Sequence, residues 1–384
     1  METIKRFLPS PEQSFFLLGP RGTGKSTWTK LQFPDAVFID LLLPDTYRSL
    51  NANPEKLIQI VEGNNHKKVF VIDEIQKIPA LLDVVHFLVE KDKKYLFVLT
   101  GSSARKLKKA GIDLLAGRAL KYTCSTFMPS ELNDMFDMTH SLEFGLLPVV
   151  LSSSVHQETL KSYIGLYLQE EIMQEGLVRD IGGFARFLEI ISFSHAELIN
   201  ISNIARECEV KRKTVEGYVN ILKDLMLAFT VPVFTKKASR MLSRHPKFYL
   251  FDTGVYRALR PAGMLDKPEK IAGGALEGLV AQNIKTWISY TSGKNELFFW
   301  RTKSGLEVDF IIYGEHVFAA VEVKSAKKIK PEYLRGLKAF CSDYPQAKAI
   351  LLYCGEQRLK IDGVLCLPCR EFLLGLKPDE FAFD

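Results

Sequence analysis

From Gly19 to Ser26 the chain reads Gly-Pro-Arg-Gly-Thr-Gly-Lys-Ser, which fits G-x-x-x-x-G-K-[ST] at every fixed position. Such a stretch commits its surroundings to one local fold. Its glycines let backbone N–H groups turn inward around a triphosphate, Lys25 can reach the β and γ phosphates, and Ser26 can hold Mg2+. The loop needs a strand feeding it and a helix leaving it, whose N-terminal dipole also favours phosphate. Both are legible: Ser14–Leu18 is an apolar run of strand length, and Lys25–Leu31 starts a helix. A glycine-rich turn with a chance lysine would leave that agreement unexplained. Gly19, Pro20, Arg21, Gly22, Thr23, Gly24, Lys25, Ser26 and Thr27 are the expected nucleotide-binding residues, with ATP and Mg2+ as the implied cofactors.

The following segments supply chemistry for that loop. Ala36–Asp40 reads as a second strand. In Lys68–Glu74, four apolar residues end in Asp73-Glu74, which describes a buried parallel strand with carboxylates at its C-terminal edge. Ligands sit at that edge in open α/β sheets. Asp73 is expected to hold Mg2+, mostly through water, and Glu74 to polarise the water that attacks the γ phosphate. An acidic cap on the next helix is the plainer reading of a lone Asp-Glu. Tyr95–Ser103 is a further buried strand, expected between the previous two, and ends in small polar residues. There Thr100 or Ser102 could bond the attacking water or the γ phosphate, or simply close a turn. Arg118, in Leu114–Leu120, is a candidate arginine finger supplied to a neighbouring subunit, or an ion pair closing the sheet edge.

Gly19–Ser26, Val71–Glu74, Leu99–Ser103 and Gly117-Arg118, together with Lys247-Phe-Tyr-Leu-Phe-Asp-Thr-Gly254, resemble the prokaryotic AAA-type P-loop ATPases fused to a C-terminal domain of uncertain function. The last segment is similar to that family's K-x-Y-x-x-D-x-G signature. Phe144–Val150 resembles its G-G-[FY]-P turn, with Leu146-Leu147 in place of the glycine and aromatic. The resemblance spans nearly the whole chain. It implies ATP hydrolysis and a homo-oligomer, a hexamer being one candidate size.

Leu160–Ile172 carries Tyr163, Leu166, Tyr167 and Glu170 at helical spacing and reads as a connector packing on the ATPase. Beyond it, Phe187–Phe193, Asn200–Glu207 and Val210–Leu222 read as three helices, and Leu227–Phe234 as a strand. Ile-Ala-Arg-x-x-x-Val-x-x-x-Thr-Val is close to helix-turn-helix spacing, and the strand would complete a winged helix. In that arrangement Lys211, Arg212, Lys213 and Thr214 would face phosphates or bases. A packing or nucleotide-sensing lid is the other use of such a module, with Arg206 or Arg212 approaching the nucleotide.

Pro261–Lys270 is a polar stretch with proline and glycine, a plausible loop or boundary. After it come a helix around Glu277, strands at Glu296–Arg301, Glu307–Ile312 and Ala319–Lys324, and a helix from Tyr333. Helix glutamate, strand aspartate and then Glu-x-Lys looks like the PD-(D/E)XK nuclease fold. Period-two alternation puts Glu322 and Lys324 on one face of their strand. Asp309 beside them could join Glu322 at Mg2+, with Glu277 supporting the metal or its water and Lys324 activating water. The same pattern also suits a DNA-binding or docking module that does not cut.

The expected fold is α/β throughout, in four pieces. These are an ATPase domain over 1–140, a helical connector or lid over 141–185, a winged-helix-like module over 186–240, and a nuclease-like α/β domain over 241–384. With 47% hydrophobic and 25% charged residues, a disordered chain is excluded. No apolar stretch approaches the ~20 residues that span a bilayer, and no signal-peptide pattern precedes the loop, so a cytoplasmic location is expected and no membrane partner. Six scattered cysteines include Cys366-x-x-Cys369, without the second pair a zinc ribbon needs. The net charge of +6 permits nucleic-acid binding. Four basic clusters (Lys106–Lys109, Lys211–Lys213, Lys236–Arg244 and Lys324–Lys330) point to DNA, duplex or branched. The functional expectation is an oligomeric ATP-driven motor remodelling DNA in repair, recombination or defence. A nucleotide-dependent switch bound to a protein partner, and a mainly nucleolytic enzyme, are the alternatives.

Overall fold

The computed structural model describes residues 4–103, 119–168, 180–235, 245–264 and 266–383. Arg118, Glu170 and the basic clusters Lys106–Lys109 and Lys236–Arg244 lie outside the described residues. The chain divides into two compact units, a smaller one of Leu8–Ser125 with Asp224–Met226 and a larger one that takes the other described residues.

The smaller unit is built on five parallel strands: β1 Phe15–Leu18, β2 Val37–Asp40, β3 Val69–Asp73, β4 Leu96–Gly101 and β5 Leu120–Thr123. They lie in the order β2-β3-β4-β1-β5, so β4 does separate the loop's strand from the Asp73 strand. Near-continuous apolar runs suit strands covered on both faces. Alternate residues Phe16 and Leu18, Phe70 and Ile72, and Phe97 and Leu99 share one buried cluster with Leu57 and Val61 of helix Lys56–Gly63 and Leu81 and Val85 of helix Leu81–Lys91. Each such side chain stabilises the fold by about 1.5–3 kcal/mol on burial. Because the strands are parallel, the ends of β1, β3 and β4 open on a common edge, which is where the loop, Asp73 and Thr100 stand.

The larger unit carries short helices, then three helices interleaved with a small sheet. Helix Ile181–Ser192 is capped by Asp180, whose carboxylate accepts from Gly183 N at 2.9 Å, so it begins six residues ahead of the sequence estimate at Phe187. Helix Ile201–Glu207 is capped by Asn200 in the same way, and helix Arg212–Asp224 follows. Strands β6 Glu197–Leu198, β7 Ala228–Val231 and β8 Lys247–Leu250 form an antiparallel sheet in the order β6-β8-β7.

A six-stranded mixed sheet comes next, made of β9 Asn295–Arg301, β10 Glu307–Gly314, β11 Phe318–Lys324, β12 Lys348–Tyr353, β13 Leu359–Ile361 and β14 Val364–Pro368. Its order is β13-β14-β12-β11-β10-β9. Helix Pro268–Tyr290 takes in residues that the sequence assigned to a boundary loop. Proline suits that first turn, where its missing N–H has no helical partner to lose. Cys366 ends up in β14 and Cys369 opens the next helix, both as buried free thiols.

Two signatures meet in this unit. Asp252 caps helix Thr253–Leu259 through Val255 N at 3.1 Å and also accepts from Leu146 N at 2.8 Å. Gly145 turns there with φ 77°, and a Cβ on it would lie 2.0 Å from Asp252 Oδ1. A Cβ on Gly254 would lie 2.1 Å from the Phe144 carbonyl oxygen. The Asp and Gly of Lys247–Gly254 are thus the seat for the Phe144–Leu147 turn.

Candidate functional site

The phosphate loop is shaped by its glycines. Gly22 and Gly24 have φ of 75° and 88°, left-handed values that favour glycine. Gly19 passes so close to the Cys124 carbonyl that a Cβ would sit 2.3 Å from its oxygen. Helix Lys25–Gln32 starts at Gly24 with no side-chain cap, which leaves its first N–H groups for an anion. Lys25 is buried and its ammonium folds back on the loop, donating to Gly19 O at 2.7 Å and Pro20 O at 3.0 Å. Thr23 Oγ1 braces the same turn through Pro20 O at 2.8 Å.

The carboxylates meet the loop across the sheet edge. Ser26 Oγ donates to Asp73 Oδ2 at 2.7 Å, and Thr100 Oγ1 donates to Asp73 Oδ1. Glu74 N donates to Thr100 Oγ1 at 3.2 Å, so one hydroxyl from β4 holds the Asp73 carboxylate and the Glu74 backbone. Glu74 itself is left-handed, with φ 61°. A hydroxyl and a carboxylate already in contact are the hard oxygen donors Mg2+ takes. The residues present therefore fit the ion, and Ser26 and Asp73 would hold it. When bound, it would neutralise charge on the phosphoryl oxygens.

Gln76 completes this edge and was not read from the sequence. Its Nε2 donates to Glu74 Oε2 and, at 3.0 Å, to Ser102 Oγ, while its buried Oε1 has no partner. Gly101 makes room for it, since a Cβ there would lie 2.5 Å from that Oε1. Ser102 thus touches Gln76.

In the larger unit the structure gathers Glu277, Asp309, Glu322 and Lys324, but around a residue the sequence reading left out. Lys247 Nζ lies 2.9 Å from Glu277 Oε1, 2.5 Å from Glu307 Oε1 and 2.9 Å from Asp309 Oδ1. Tyr249 OH donates to Glu277 Oε1 at 2.7 Å. Lys324 Nζ donates to Glu322 Oε1 at 2.5 Å, and Asp309 Oδ2 accepts from Val323 N at 3.0 Å. The β9–β10 register shifts between Val308 and Ile311, a bulge that re-aims Asp309 and frees its N–H toward Glu322 Oε2 at 3.3 Å.

Burial opposes charge on Lys247, but Asp309 and Glu277 outweigh it and hold its pKa well above the usual lysine value. Burial and the charge of Asp309 push Glu322 up to about 8 and Glu277 up to about 7. Asp309 is depressed because the two lysines outweigh its burial. Among the described residues no group of three or more His, Cys, Asp or Glu side chains is arranged to hold a metal ion. As placed, these residues do not fit Mg2+. The missed signal was in plain view: Lys247 and Tyr249 are the first two marked positions of the K-x-Y-x-x-D-x-G segment.

Lys211, Arg212 and Lys213 are exposed and Thr214 half-buried, together at the start of helix Arg212–Asp224. Arg212 Nε pairs with Glu216 at 3.0 Å.

A parallel sheet with a phosphate loop and the Ser26–Asp73 contact at one edge defines a P-loop ATPase-type domain. Residues 11–133 match the family model described as an AAA domain, so the chain carries a domain of that type. Residues 135–266 and 272–372 match two models described as domains of unknown function, DUF8612 and DUF4143. An uncharacterised protein of Mycobacterium tuberculosis is 25% identical over 374 residues, covering 95% of this chain and 82% of that one. An uncharacterised protein of Methanocaldococcus jannaschii is 23% identical over 320 residues, covering 76% and 67%. Among solved structures, a Walker-type ATPase of Pyrococcus abyssi aligns with a TM-score of 0.44 at 15% identity, over 65% of this chain and 91% of that one. The ADP form of an ORC2 protein of Aeropyrum pernix aligns with a TM-score of 0.31 at 12% identity, over 71% and 89%. At those scores the two likenesses say nothing of function. Among the described residues, no helix is long and apolar enough to cross a membrane.

Proposed function

We propose that this chain is an ATP-hydrolysing enzyme that works as a homo-oligomer on DNA, remodelling duplex or branched substrates. The Ser26–Asp73 contact of 2.7 Å, beside Lys25 and Glu74, carries the ATPase reading. ATP lies along Gly19–Thr27, Lys25 leaves the loop carbonyls for the β and γ phosphates, and Glu74 takes a proton from the attacking water. The exposed Lys211, Arg212 and Lys213, at the head of a helix preceded by another helix and a short turn, support a helix-turn-helix grip on the phosphate backbone. The small sheet, with β6 before those helices and β7 and β8 after them, supports the winged-helix reading. Arg118 stays the candidate finger in trans, and its role requires the oligomer. The larger unit contributes a DNA-binding surface in this reading, in the service of repair or recombination.

The test is ATP turnover without DNA and with single-stranded, duplex and four-way DNA, alongside particle size. Duplex or four-way DNA should raise turnover, Lys25→Ala should abolish it, and the chain should run larger than a monomer. If DNA changes neither turnover nor ATP affinity, the motor reading fails. A nucleotide-dependent switch of slow turnover, bound to a protein partner, is then the second reading. The hold of Gln76 on Glu74 favours it.

A further inference from the structure

Three carboxylates and a lysine ammonium meet in the larger unit where a metal-dependent nuclease would keep its ion, and the ammonium already holds one oxygen of each acid. An ammonium has three N–H donors. Lys247 donates to Glu277 Oε1 and Asp309 Oδ1 and forms an ion pair with Glu307 Oε1, one oxygen from each acid. The acids are in turn held from behind. Arg301 pairs with Glu307 Oε2 at 3.1 Å and Val323 N donates to Asp309 Oδ2, while Tyr249 donates to the same Glu277 Oε1 that Lys247 holds. Lys247 has no room to leave. Its side chain is 3% exposed, and β8, its strand, is buried at all four residues between β6 and β7.

We propose that Lys247 stands permanently in the metal position, so that the cluster takes no divalent cation and the chain does not cut phosphodiester bonds. The cluster then acts as an internal ion-pair joint. Lys247 of β8 ties the small sheet to helix Pro268–Tyr290 through Glu277 and to the large sheet through Glu307 and Asp309 of β10. An acidic triad around a divalent ion needs an excess of negative charge, whereas here the ammonium supplies the compensation from within the fold. Lys324 is likewise engaged with Glu322 instead of being free to orient water. The inference does not depend on the ATPase reading, because no residue of the phosphate loop takes part.

The test is Mn2+ uptake by the full chain without nucleotide, read by the loss of the free-ion EPR signal. It is done in an Asp73→Asn background, so that the phosphate-loop site does not contribute. That chain should take up no Mn2+ at sub-millimolar concentration, and supercoiled plasmid should survive it with Mg2+ or Mn2+. Adding Lys247→Met should create one Mn2+ site per chain and make the melting temperature rise with Mn2+. The proposal is overturned by Mn2+ uptake or plasmid cutting that Asp309→Asn removes, or by a folded Lys247→Met chain that takes up none. Should Lys247→Met fail to fold, Lys247→Met with Glu277→Gln removes a stranded charge along with the lysine and is judged by the same two outcomes.

Discussion

Gln76 stands two residues beyond Glu74, and its Nε2 donates both to that carboxylate and to Ser102 Oγ. Glu74 Oε2 already accepts from this amide, so the bond competes with the attacking water for the same oxygen. Gln76→Ala is therefore expected to raise ATP turnover without DNA. Losing one net hydrogen bond of ~0.5–1.5 kcal/mol corresponds to roughly two- to tenfold in rate. Glu74→Gln should instead cost about 10²–10⁴-fold, the usual worth of a general base. Steady-state phosphate release separates the two. A Gln76→Ala enzyme as slow as Glu74→Gln would place Gln76 among the reacting groups instead of restraining one. The loop, Asp73 and Glu74 were legible because one motif and one strand end carry them. Lys247 was legible only as a marked position of its segment, and what it meets was not, because its partners lie 30 and 62 residues downstream on a helix and a strand. No local pattern reports an ammonium delivered from another sheet.

Elements were legible wherever an apolar run made a strand and less so where a cap set a boundary. Four of the five parallel strands follow from short apolar runs such as Phe15–Leu18 and Val69–Asp73, whereas β5, Leu-Lys-Tyr-Thr, has no such run and was not read from the sequence. The early start of helix Ile181–Ser192 depends on the single bond from Gly183 N to Asp180. The turn at Gly145 shows how a distant cap can organise two segments. Asp252→Ala removes a helix cap worth ~0.5–2 kcal/mol and strands the Leu146 N–H, which adds about 1–3 kcal/mol. Gly254→Ala drives a Cβ into the Phe144 carbonyl and should destabilise through the same contact. Urea unfolding should show both losses, and the pair should be non-additive, since both act on one turn. Additive losses would mean that Asp252 and Gly254 stabilise separate elements.

For the molecule as a whole, the two units are expected to answer pH and nucleotide separately. A slowly hydrolysed ATP analogue stabilises only the unit that binds it, so it should raise one of two calorimetric transitions and thereby assign the smaller unit. The other transition then reports the buried acids. Glu277 and Glu322 have native pKa values of about 7 and about 8, raised from 4.5 by burial and by Asp309. A raised native pKa contributes stability that is complete below the unfolded value of 4.5 and is lost as pH climbs through about 7 and about 8. Asp309, whose pKa is depressed, works the other way, and its contribution disappears only under acid conditions below its ordinary value of 3.8. The melting temperature of the larger unit should therefore fall between mildly acidic and mildly alkaline buffer. Glu322→Gln, which keeps one of the two acceptor oxygens and cannot ionise, should flatten that fall while leaving the nucleotide-responsive transition where it was. An undiminished slope in the variant would mean that Glu322 is already ionised in the native chain at neutral pH.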